Sequence, residues 1–245
     1  MVKVKNLCLS LAGNSIIRDI SFVLEDAQNL IILGRSGAGK TILIKTLMGM
    51  FPPDSGTVSV DGIDVYNGPN HQRDIVRHKF SMVFQNAALL DSFNVFQNVA
   101  LPLYERAGIS YSEALERVEK SLAVVGLEGT LEKYPSELSG GMRKRVAIAR
   151  ALVYEPQYII FDEPVSGLDP ITANEVLYYI SHIINSYQAT TITITHDIRN
   201  LNDLGNCVLF IENGEAVFYG SIDDMRLCKD PLLKQFIGVG DASAQ

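Results

Sequence analysis

The stretch LIILGRSGAGKT, residues 30–41, decides the fold. Its first four residues form a short apolar run, which is typical of a buried parallel strand. The next eight residues fit the pattern G-x-x-x-x-G-K-[ST], and apolar residues at helical spacing follow from Ile42 to Met50. This order of strand, glycine-rich loop and helix predicts a phosphate-binding loop, because the loop N–H groups and the start of the helix would face one anion.

Each part of this loop has an expected role towards a nucleoside triphosphate. The Lys40 amine would reach the β and γ phosphates, and the Thr41 hydroxyl would bind Mg²⁺. A chance glycine-rich turn is the alternative, and the sequence downstream argues against it. The residues that we expect to hold the phosphates are Gly34, Arg35, Ser36, Gly37, Ala38, Gly39, Lys40 and Thr41.

Polar side chains follow three other predicted strands. Asp162 and Glu163 end the apolar run that begins at Tyr158, His196 follows residues 191–195, and Gln85 follows residues 80–84. Carboxyl ends of parallel strands meet at one edge of a sheet, where α/β proteins bind ligands. Strand ends that carry only solvated acids are common, but a phosphate-binding loop upstream favours a hydrolytic site.

The chemistry of that site assigns a role to each side chain. Asp162 would hold the Mg²⁺ shell, and Glu163 would orient and deprotonate the attacking water. His196 would reach the γ-phosphate and the water. The predicted catalytic residues are Lys40, Gln85, Glu163 and His196, and the predicted Mg²⁺ ligands are Thr41, Gln85 and Asp162.

A second candidate anion site lies in the stretch LSGGM, residues 138–142. Ser139, Gly140 and Gly141 are expected to precede a helix from Met142 to Leu152, where free N–H groups meet the positive helix end. One copy already has its own phosphate loop, so a second such site predicts a head-to-tail pair of copies. The basic residues 143–145 add positive charge there or form a solvent-exposed helix face.

Composition narrows the possible functions. The formal charge of −7 argues against a general nucleic-acid surface, so no nucleic acid is expected as a partner. The three cysteines form no CxxC pair and indicate free thiols in a reducing compartment, and the four histidines show no zinc-ligand spacing. No apolar run approaches the ~18 residues of a membrane span, and no signal peptide is evident. We expect a cytosol-facing protein that reaches the membrane through a partner.

The order of elements predicts an α/β fold. Alternating residues in 2–11, 16–24 and 57–60 predict an antiparallel β layer beside a mostly parallel core sheet. A helical subdomain is expected as an insertion at about residues 86–156, with a capping box from Ser110 to Glu113. We expect one domain over residues 1–237 and a flexible tail over residues 238–245.

These motifs together resemble the nucleotide-binding subunit of ABC transporters over roughly residues 2–225. GRSGAGKT, Gln85, LSGGM, YIIFDE, SGLD and His196 match the P-loop, Q-loop, signature, acidic strand end, D-loop and H-loop of that family. The resemblance implies the P-loop NTPase cassette fold, ATP and Mg²⁺ as cofactors, and ATP hydrolysis coupled to transport. It also implies a homodimer bound to an integral membrane permease, peripheral to the cytoplasmic face of the inner membrane.

One departure concerns recognition of the base. The family usually has an aromatic side chain before the P-loop that stacks on adenine, whereas this chain has Leu11-Ala12-Gly13 there and its first aromatic residue is Phe22. By analogy with other base–aromatic contacts, the lost stacking is worth on the order of 1–3 kcal/mol. We therefore expect weak discrimination between ATP and GTP.

The segment FQNAALLDSFNVFQNVALPL, residues 84–103, is the most discriminating for the subfamily. It is similar to the Mla-type ATPases of phospholipid transporters of the MCE class, and Met142 after the two glycines points the same way. The resemblance implies transport of phospholipids or related lipids, an MCE-domain protein and a small regulatory subunit. The alternatives are an ABC ATPase of a lipoprotein-export or cell-division complex, or a soluble ABC protein that acts on ribosomes or DNA.

Overall fold

The computed structural model describes residues 1–26, 28–105, 109–187 and 189–242. Its strands are β1 (Val2–Leu11), β2 (Asn14–Leu24), β3 (Leu30–Leu33), β4 (Ser55–Val60), β5 (Ile63–Asp64), β6 (Phe80–Val83), β7 (Tyr158–Asp162), β8 (Thr190–Thr195), β9 (Cys207–Glu212) and β10 (Glu215–Ser221). Its α-helices are α1 (Lys40–Leu47), α2 (Asn70–Lys79), α3 (Val95–Tyr104), α4 (Tyr111–Val124), α5 (Gly140–Leu152), α6 (Pro170–Ser186), α7 (Leu201–Leu204), α8 (Ile222–Leu227) and α9 (Pro231–Ala242).

The core sheet has the strand order β10-β9-β3-β8-β7-β6. β3 pairs in parallel with both β8 and β9, and β7 pairs in parallel with β6 and β8, whereas β10 closes the edge as an antiparallel hairpin with β9. Parallel register places Leu33 beside Thr195 and Val83 beside Phe161, so these strands end at one edge. The predicted mostly parallel sheet is confirmed, and its strand ends define one ligand-binding edge.

Side chains alternate between two apolar cores on opposite faces of this sheet. Ile31, Ile159 and Phe210 point into the core formed with helices α3–α6, and Leu30 and Ile160 point into the core formed with α1 and the other sheet. All four residues of β3 are buried, which explains why its sequence is a continuous apolar run. Burial of each such side chain contributes roughly 1.5–3 kcal/mol to folding, so both faces hold the strand ends in place.

A second, antiparallel sheet has the order β2-β1-β4-β5, as the alternating sequence predicts. Two contacts attach its β2 strand to the β9–β10 hairpin of the core sheet. The Arg18 amide donates to the Gly214 carbonyl at 2.8 Å, and the Tyr219 hydroxyl donates to the Val23 carbonyl. The start of the nucleotide loop is therefore held between two sheets.

Helices α3, α4 and α5 occupy the chain between β6 and β7. The expected capping box at α4 is only half formed: the Ser110 hydroxyl accepts from the Glu113 amide at 3.2 Å, but the Glu113 carboxylate accepts from Arg117 at 2.8 Å. An arginine one turn away competes with the backbone N–H for that carboxylate. A complete capping box occurs instead at α3, between Asn94 and Gln97.

The C-terminal segment differs from the sequence-based expectation at its boundary. The flexible tail was predicted to begin at residue 238, but α9 continues to Ala242, because Leu233 and Phe236 anchor the helix on the sheet. Residues 243–245 lie outside the described part of the chain. Within the described ranges, no helix combines the length and apolar character that crossing a membrane requires.

Candidate nucleotide site

The loop between β3 and α1 wraps around the Lys40 amine. This amine donates to the Gly34 carbonyl at 2.7 Å and to the Arg35 carbonyl at 2.9 Å. Gly34 has φ of 153°, and a Cβ there would meet the Ile211 carbonyl of the neighbouring strand, so only glycine fits. The sequence pattern alone indicates a glycine here, and the close approach of β9 is its physical reason.

Helix α1 begins at Lys40 itself rather than at Ile42. Its N-cap is Gly39, which supplies no side-chain hydrogen bond, and its first turn contains no acidic residue. The first N–H groups therefore keep free hydrogen-bonding capacity at a positive helix end. Burial lowers the pKa of Lys40, while the charges of Glu163 and Asp162 oppose that shift.

Asp162 ends β7 opposite the loop and accepts a hydrogen bond from the Thr41 hydroxyl. Burial raises the pKa of Asp162, as does the neighbouring Glu163 charge, whereas the Lys40 charge lowers it. A carboxylate whose charge is disfavoured by burial gains most from a nearby cation. This pair of one hydroxyl and one carboxylate oxygen is the donor chemistry that Mg²⁺ prefers, so the residues fit that ion.

Glu163 follows Asp162 but points in another direction, because its backbone takes a left-handed φ of 47°. Its amide donates to the Ile194 carbonyl at 2.9 Å, which fixes it to β8. Its carboxylate lies 3.0 Å from His196 Nδ1, and only 17% of the Glu163 side chain is exposed against 61% for His196. A held carboxylate beside an accessible imidazole can accept a proton from water.

Gln85 lies at the end of β6 and contacts two other segments. Its side-chain amide donates to the Ser166 hydroxyl at 3.2 Å, and its backbone carbonyl accepts from the Lys144 amine. Ser166 belongs to the turn after Glu163, to whose carbonyl its amide donates at 3.1 Å. Gln85 is therefore linked to the turn that follows the acidic strand end.

One cavity of about 880 Å³ collects most of the predicted site. It is lined by loop residues 35–41 and by Gln85, Asp162, Glu163 and His196, with Ile16, Ile42, Ser166, Ile194 and Phe236 in addition. Gly34 supports the loop from outside this lining. Five strands, the start of α1 and the middle of α9 thus line one cavity, which brings together predicted residues as far apart in sequence as Arg35 and His196.

Ser139, Gly140 and Gly141 do not line this cavity. The Ser139 hydroxyl caps α5 by accepting from the Met142 amide at 3.2 Å, and the helix begins at Gly140, two residues earlier than expected. The early start has a packing reason, because a Cβ on Gly141 would overlap the Thr172 methyl group of α6. The predicted second anion site is thus a capped helix start that lies outside the cavity of the phosphate loop.

The basic residues after this helix start have intramolecular partners, and of the three only Arg143 is exposed, so the expected solvent-exposed helix face is wrong for Lys144 and Arg145. Lys144 and Arg145 are 6% and 9% exposed, which contradicts a solvated helix face. Arg145 donates to the Val125 carbonyl at 3.1 Å and stacks over the Tyr179 ring at 5.2 Å. Arg143 donates to the Leu138 carbonyl at 3.0 Å. The sequence pattern gives no signal for these partners, of which Tyr179 lies in α6 and Val125 and Leu138 lie just outside α4 and α5.

The cavity walls near the loop are mainly aliphatic. Ile16 lies against Gly39, on the strand that follows the β1–β2 turn at residues 12–13. Among the described lining residues the only aromatic one is Phe236, whose ring packs 5.0 Å from the ring of Phe210. Sequence reasoning missed Phe236, since nothing local indicates that α9 returns to the edge of the sheet.

Comparison with known families gives a match over the site. A family model described as "ABC transporter" matches residues 17–166. The probable ribonucleotide transport ATP-binding protein mkl of Mycobacterium tuberculosis is 34% identical over 236 residues, which cover 96% of this chain and 66% of that protein. The chain thus spans slightly less than two thirds of the length of that mkl protein.

Two other curated relatives differ in the share of their length that this chain covers. The methionine import ATP-binding protein MetN of Bacillus subtilis is 38% identical over 224 residues, with 90% of this chain and 65% of that protein covered. The intermembrane phospholipid transport system ATP-binding protein MlaF of Escherichia coli K12 is 33% identical over 242 residues, with 98% and 90% covered.

Solved structures resemble the whole fold. The dimeric post-hydrolysis state of the ATP-binding cassette MJ0796, bound to ADP and Pi, superposes with a TM-score of 0.79 and 27% identity. The match covers 91% of this chain and 99% of that one. A second dimeric structure of the same cassette gives a TM-score of 0.80.

Proposed function

This chain belongs to the ABC transporter family and carries its ATPase cassette, and from that premise we propose that it powers a membrane transporter of phospholipids or related lipids. The observation that carries the ATPase part of the proposal is the cavity that unites the Lys40 loop with Glu163 and His196. Nucleotide hydrolysis needs a phosphate cradle and a water-activating carboxylate in one place, and this arrangement supports that chemistry.

Within this site each side chain has a proposed task. The Lys40 amine neutralises the terminal phosphates, and Thr41 with Asp162 would hold Mg²⁺, which would supply positive charge to those phosphates. Glu163 accepts the proton of the attacking water, and its left-handed backbone aims the carboxylate away from the metal ligands. His196 orients the Glu163 carboxylate, and the Gln85 amide senses the terminal phosphate.

A homodimer completes the site. The capped helix start at Ser139–Gly141 lies outside its own cavity, so it is free to meet the phosphates held by a second copy. The cassette MJ0796 is dimeric in both solved structures, which supports the same assembly here. ATP between the two copies closes the dimer, and loss of the γ-phosphate allows it to reopen.

The lipid substrate rests on the relation to MlaF. The chain covers 90% of that protein, against 65% of MetN, although the identities to both are similar. The segment 84–103, which resembles Mla-type ATPases, forms the start of the helical region. By the same resemblance we propose an MCE-domain protein and a small regulatory subunit as partners.

A groove beside this segment is the proposed seat of the permease. It has a volume of about 510 Å³ and is lined by Phe84, Leu101, Pro102 and Arg150 among others. Phe84 is 41% exposed, although it follows a buried strand. An exposed aromatic residue in an apolar groove is typical of a protein contact, and a cytoplasmic helix of an integral membrane permease would fit it. This contact would hold the chain at the cytoplasmic face of the inner membrane.

Affinity capture of the tagged chain from its native membrane, solubilised in detergent, tests the proposal. We expect a multi-span permease and a single-span MCE-domain protein among the captured proteins. The matched control is the same capture with Phe84→Glu, which should lose the permease but still bind ATP.

Other outcomes would decide between named alternatives. Capture of an amino-acid permease without an MCE-domain protein would favour the second candidate, methionine import, which the 38% identity to MetN supports. A lipoprotein-export or cell-division partner would keep the ATPase and discard the lipid substrate. Ribosomal or DNA-repair partners would refute the transport proposal.

A further inference from the structure

Two cations of helix α5 hold the backbone of the segment that follows β6. The Lys144 amine donates to the Gln85 carbonyl. The Arg150 guanidinium donates to the Ala87 carbonyl at 2.6 Å and to the Ala88 carbonyl at 2.7 Å. Three carbonyls within four residues thus accept hydrogen bonds from one helix, and we call residues 85–88 the tethered segment.

Both cations are in positions where a charge is disfavoured. Lys144 is 6% exposed, and burial lowers its pKa even though the charges of Glu163 and Asp162 act in the opposite direction. Burial also lowers the pKa of Arg150. Lys144 is buried and Arg150 is half-buried, and a cation removed from water destabilises a fold unless hydrogen bonds compensate for its lost hydration, as these carbonyl bonds do.

The tethered segment has a strained backbone, in which the Ala87 amide donates to the Phe84 carbonyl at 2.9 Å and the Ala88 amide donates to the Asn86 carbonyl at 2.6 Å. Ala87 and Ala88 take consecutive left-handed φ values of 60° and 49°, which residues other than glycine rarely adopt. Strained backbone persists only where its surroundings impose it, and Arg150 bonds both of these residues. Without the two cations the segment would relax towards a more common conformation.

This tether connects two sites. Gln85 lines the cavity of its own chain, and its side-chain amide donates to the Ser166 hydroxyl in the turn after Glu163. The helix that carries both cations begins at the Ser139 cap, on the second anion site. Because α5 is a continuous helix of thirteen residues, a shift of the tethered segment must move that helix start as well.

We propose that Lys144 and Arg150 are positioning residues that lock the tethered segment to α5, so that Gln85 in one nucleotide site and Ser139–Gly141 in the other move together. This proposal rests on the proposed function, since the second site exists only in a dimer that binds ATP. It predicts that the two nucleotide sites of the dimer communicate through these side chains. Arg150 and Ala88 also line the permease groove, so docking there acts on the same tether.

The first test uses the nucleotide-free protein, in which no turnover is needed. Hydrogen exchange of the amides of residues 86–90 is compared between the unmodified chain and Lys144→Met, Lys144→Arg, Arg150→Met and Arg150→Lys. Lys120→Met is the matched control, because Lys120 is a solvent-exposed cation of the helical region whose partner is Glu155. We expect exchange at least tenfold faster in both Met variants and unchanged exchange in the control.

The second test measures communication. ATP hydrolysis is followed against ATP concentration, and ATP binding is measured separately by equilibrium titration. In Lys144→Met we expect kcat to fall at least tenfold and the Hill coefficient to approach one, with the Kd for ATP within twofold of the unmodified chain. Lys144→Arg keeps the donor and should recover at least half of kcat.

The proposal is overturned if exchange at residues 86–90 is unchanged in both Met variants, or if Lys144→Met keeps the Hill coefficient of the unmodified chain. It is also overturned if Lys144→Arg is as impaired as Lys144→Met, which would indicate a general packing defect. An unmodified chain that hydrolyses no ATP would refute the proposed function instead, and the exchange measurement would still decide whether the tether exists.

Discussion

Glu163 has a backbone conformation that costs roughly 1–2 kcal/mol for a residue with a side chain. The structure retains it because the Glu163 amide is bonded to the Ile194 carbonyl and its carboxylate lies beside His196. The strain separates two adjacent carboxylates, with Asp162 directed to Thr41 and Glu163 to the imidazole. Neighbours in sequence can then serve the metal and the water independently.

The first prediction concerns this carboxylate. Glu163→Gln keeps the size of the side chain and one acceptor oxygen but removes the base, so kcat should fall at least about 100-fold. The Kd for ATP should change by no more than a few-fold, because the phosphate loop is unaltered. Steady-state ATPase assays and equilibrium titration measure the two quantities. Glu215→Gln, at an exposed position of β10, is the control, and near-normal turnover in Glu163→Gln would exclude Glu163 as the base.

The second prediction concerns the base of the nucleotide. Ile16 supplies an aliphatic wall beside Gly39, and the β1–β2 turn contains no aromatic residue. Stacking contacts of about 1–3 kcal/mol are therefore missing, and we expect the Kd values for ATP and GTP to agree within about tenfold. Competition between labelled ATP and unlabelled GTP measures the ratio. A preference of a hundredfold or more for ATP would contradict this expectation.

At the scale of elements, the β4–β5 turn joins the antiparallel sheet to the core sheet through Asp61. Its carboxylate accepts from the Lys79 amine at 2.5 Å and from the Tyr158 hydroxyl of β7 at 2.6 Å. Burial alone would raise the pKa of Asp61. Hydrogen bonds from the Lys79 and Met1 amines and from the Tyr158 hydroxyl outweigh burial and lower that pKa to about 2.

The third prediction follows from this lowered pKa. A carboxyl group with a lower pKa in the folded state stabilises the fold above its unfolded pKa of about 4, and that stabilisation disappears as pH falls towards 2. Asp61→Asn should lower the free energy of unfolding by about 2 kcal/mol at pH 7, and the difference should shrink below pH 4. Urea unfolding at a series of pH values measures it. An equal loss in the exposed control Asp91→Asn would show that the effect is not specific to this turn.

The fourth prediction concerns helix α9, which brings Phe236 to the nucleotide cavity. The sequence contains no tryptophan, so Phe236→Trp introduces a single tryptophan, whose emission can be excited selectively. Because this position lines the cavity, its emission should change saturably on addition of nucleotide, and Lys40→Ala in the same background should abolish the change. Leu232→Trp, on the exposed side of the same helix, should not respond. A Phe236→Trp chain that binds nucleotide without any change in emission would contradict the placement of α9.

Prediction from sequence succeeded where the signal is local. The strand, loop and helix at residues 30–47 and the polar strand ends at Asp162 and His196 were foreseen, because strand burial and parallel pairing fix where such residues lie. The burial of Lys144 and the approach of Phe236 were not foreseen, since both depend on contacts between segments far apart in the chain. The start of α5 was predicted at Met142 instead of Gly140, because glycine gives little sequence signal for a first helical turn.

For the whole molecule, the central fact is that the helix start at Ser139 and the phosphate loop do not share a cavity. Under the proposed function, a second copy completes the site, and the dimer is expected to depend on ATP. This arrangement makes Ser139 a position where assembly can be altered without touching the phosphate loop.

The fifth prediction uses that separation. In a Glu163→Gln background, Mg²⁺ and ATP should convert the chain to a dimer, as measured by light scattering. Adding Ser139→Asp keeps a side chain that caps α5 but places a negative charge against the phosphates of the other copy, so dimerisation should weaken at least tenfold. Ser139→Thr keeps the cap without the charge and should still dimerise. Equal dimerisation of the Asp and Thr variants would show that Ser139 does not face nucleotide.

The same separation has a genetic consequence. A Lys40→Ala allele and a Ser139→Asp allele would each be inactive alone, because every site in either homodimer has a defective half. When the two alleles are expressed together, half of the assemblies are mixed, and each mixed pair contains one site with an intact loop facing an intact helix start. Two null alleles of one gene should then complement each other in the same cell, whereas two alleles that damage the same half should not.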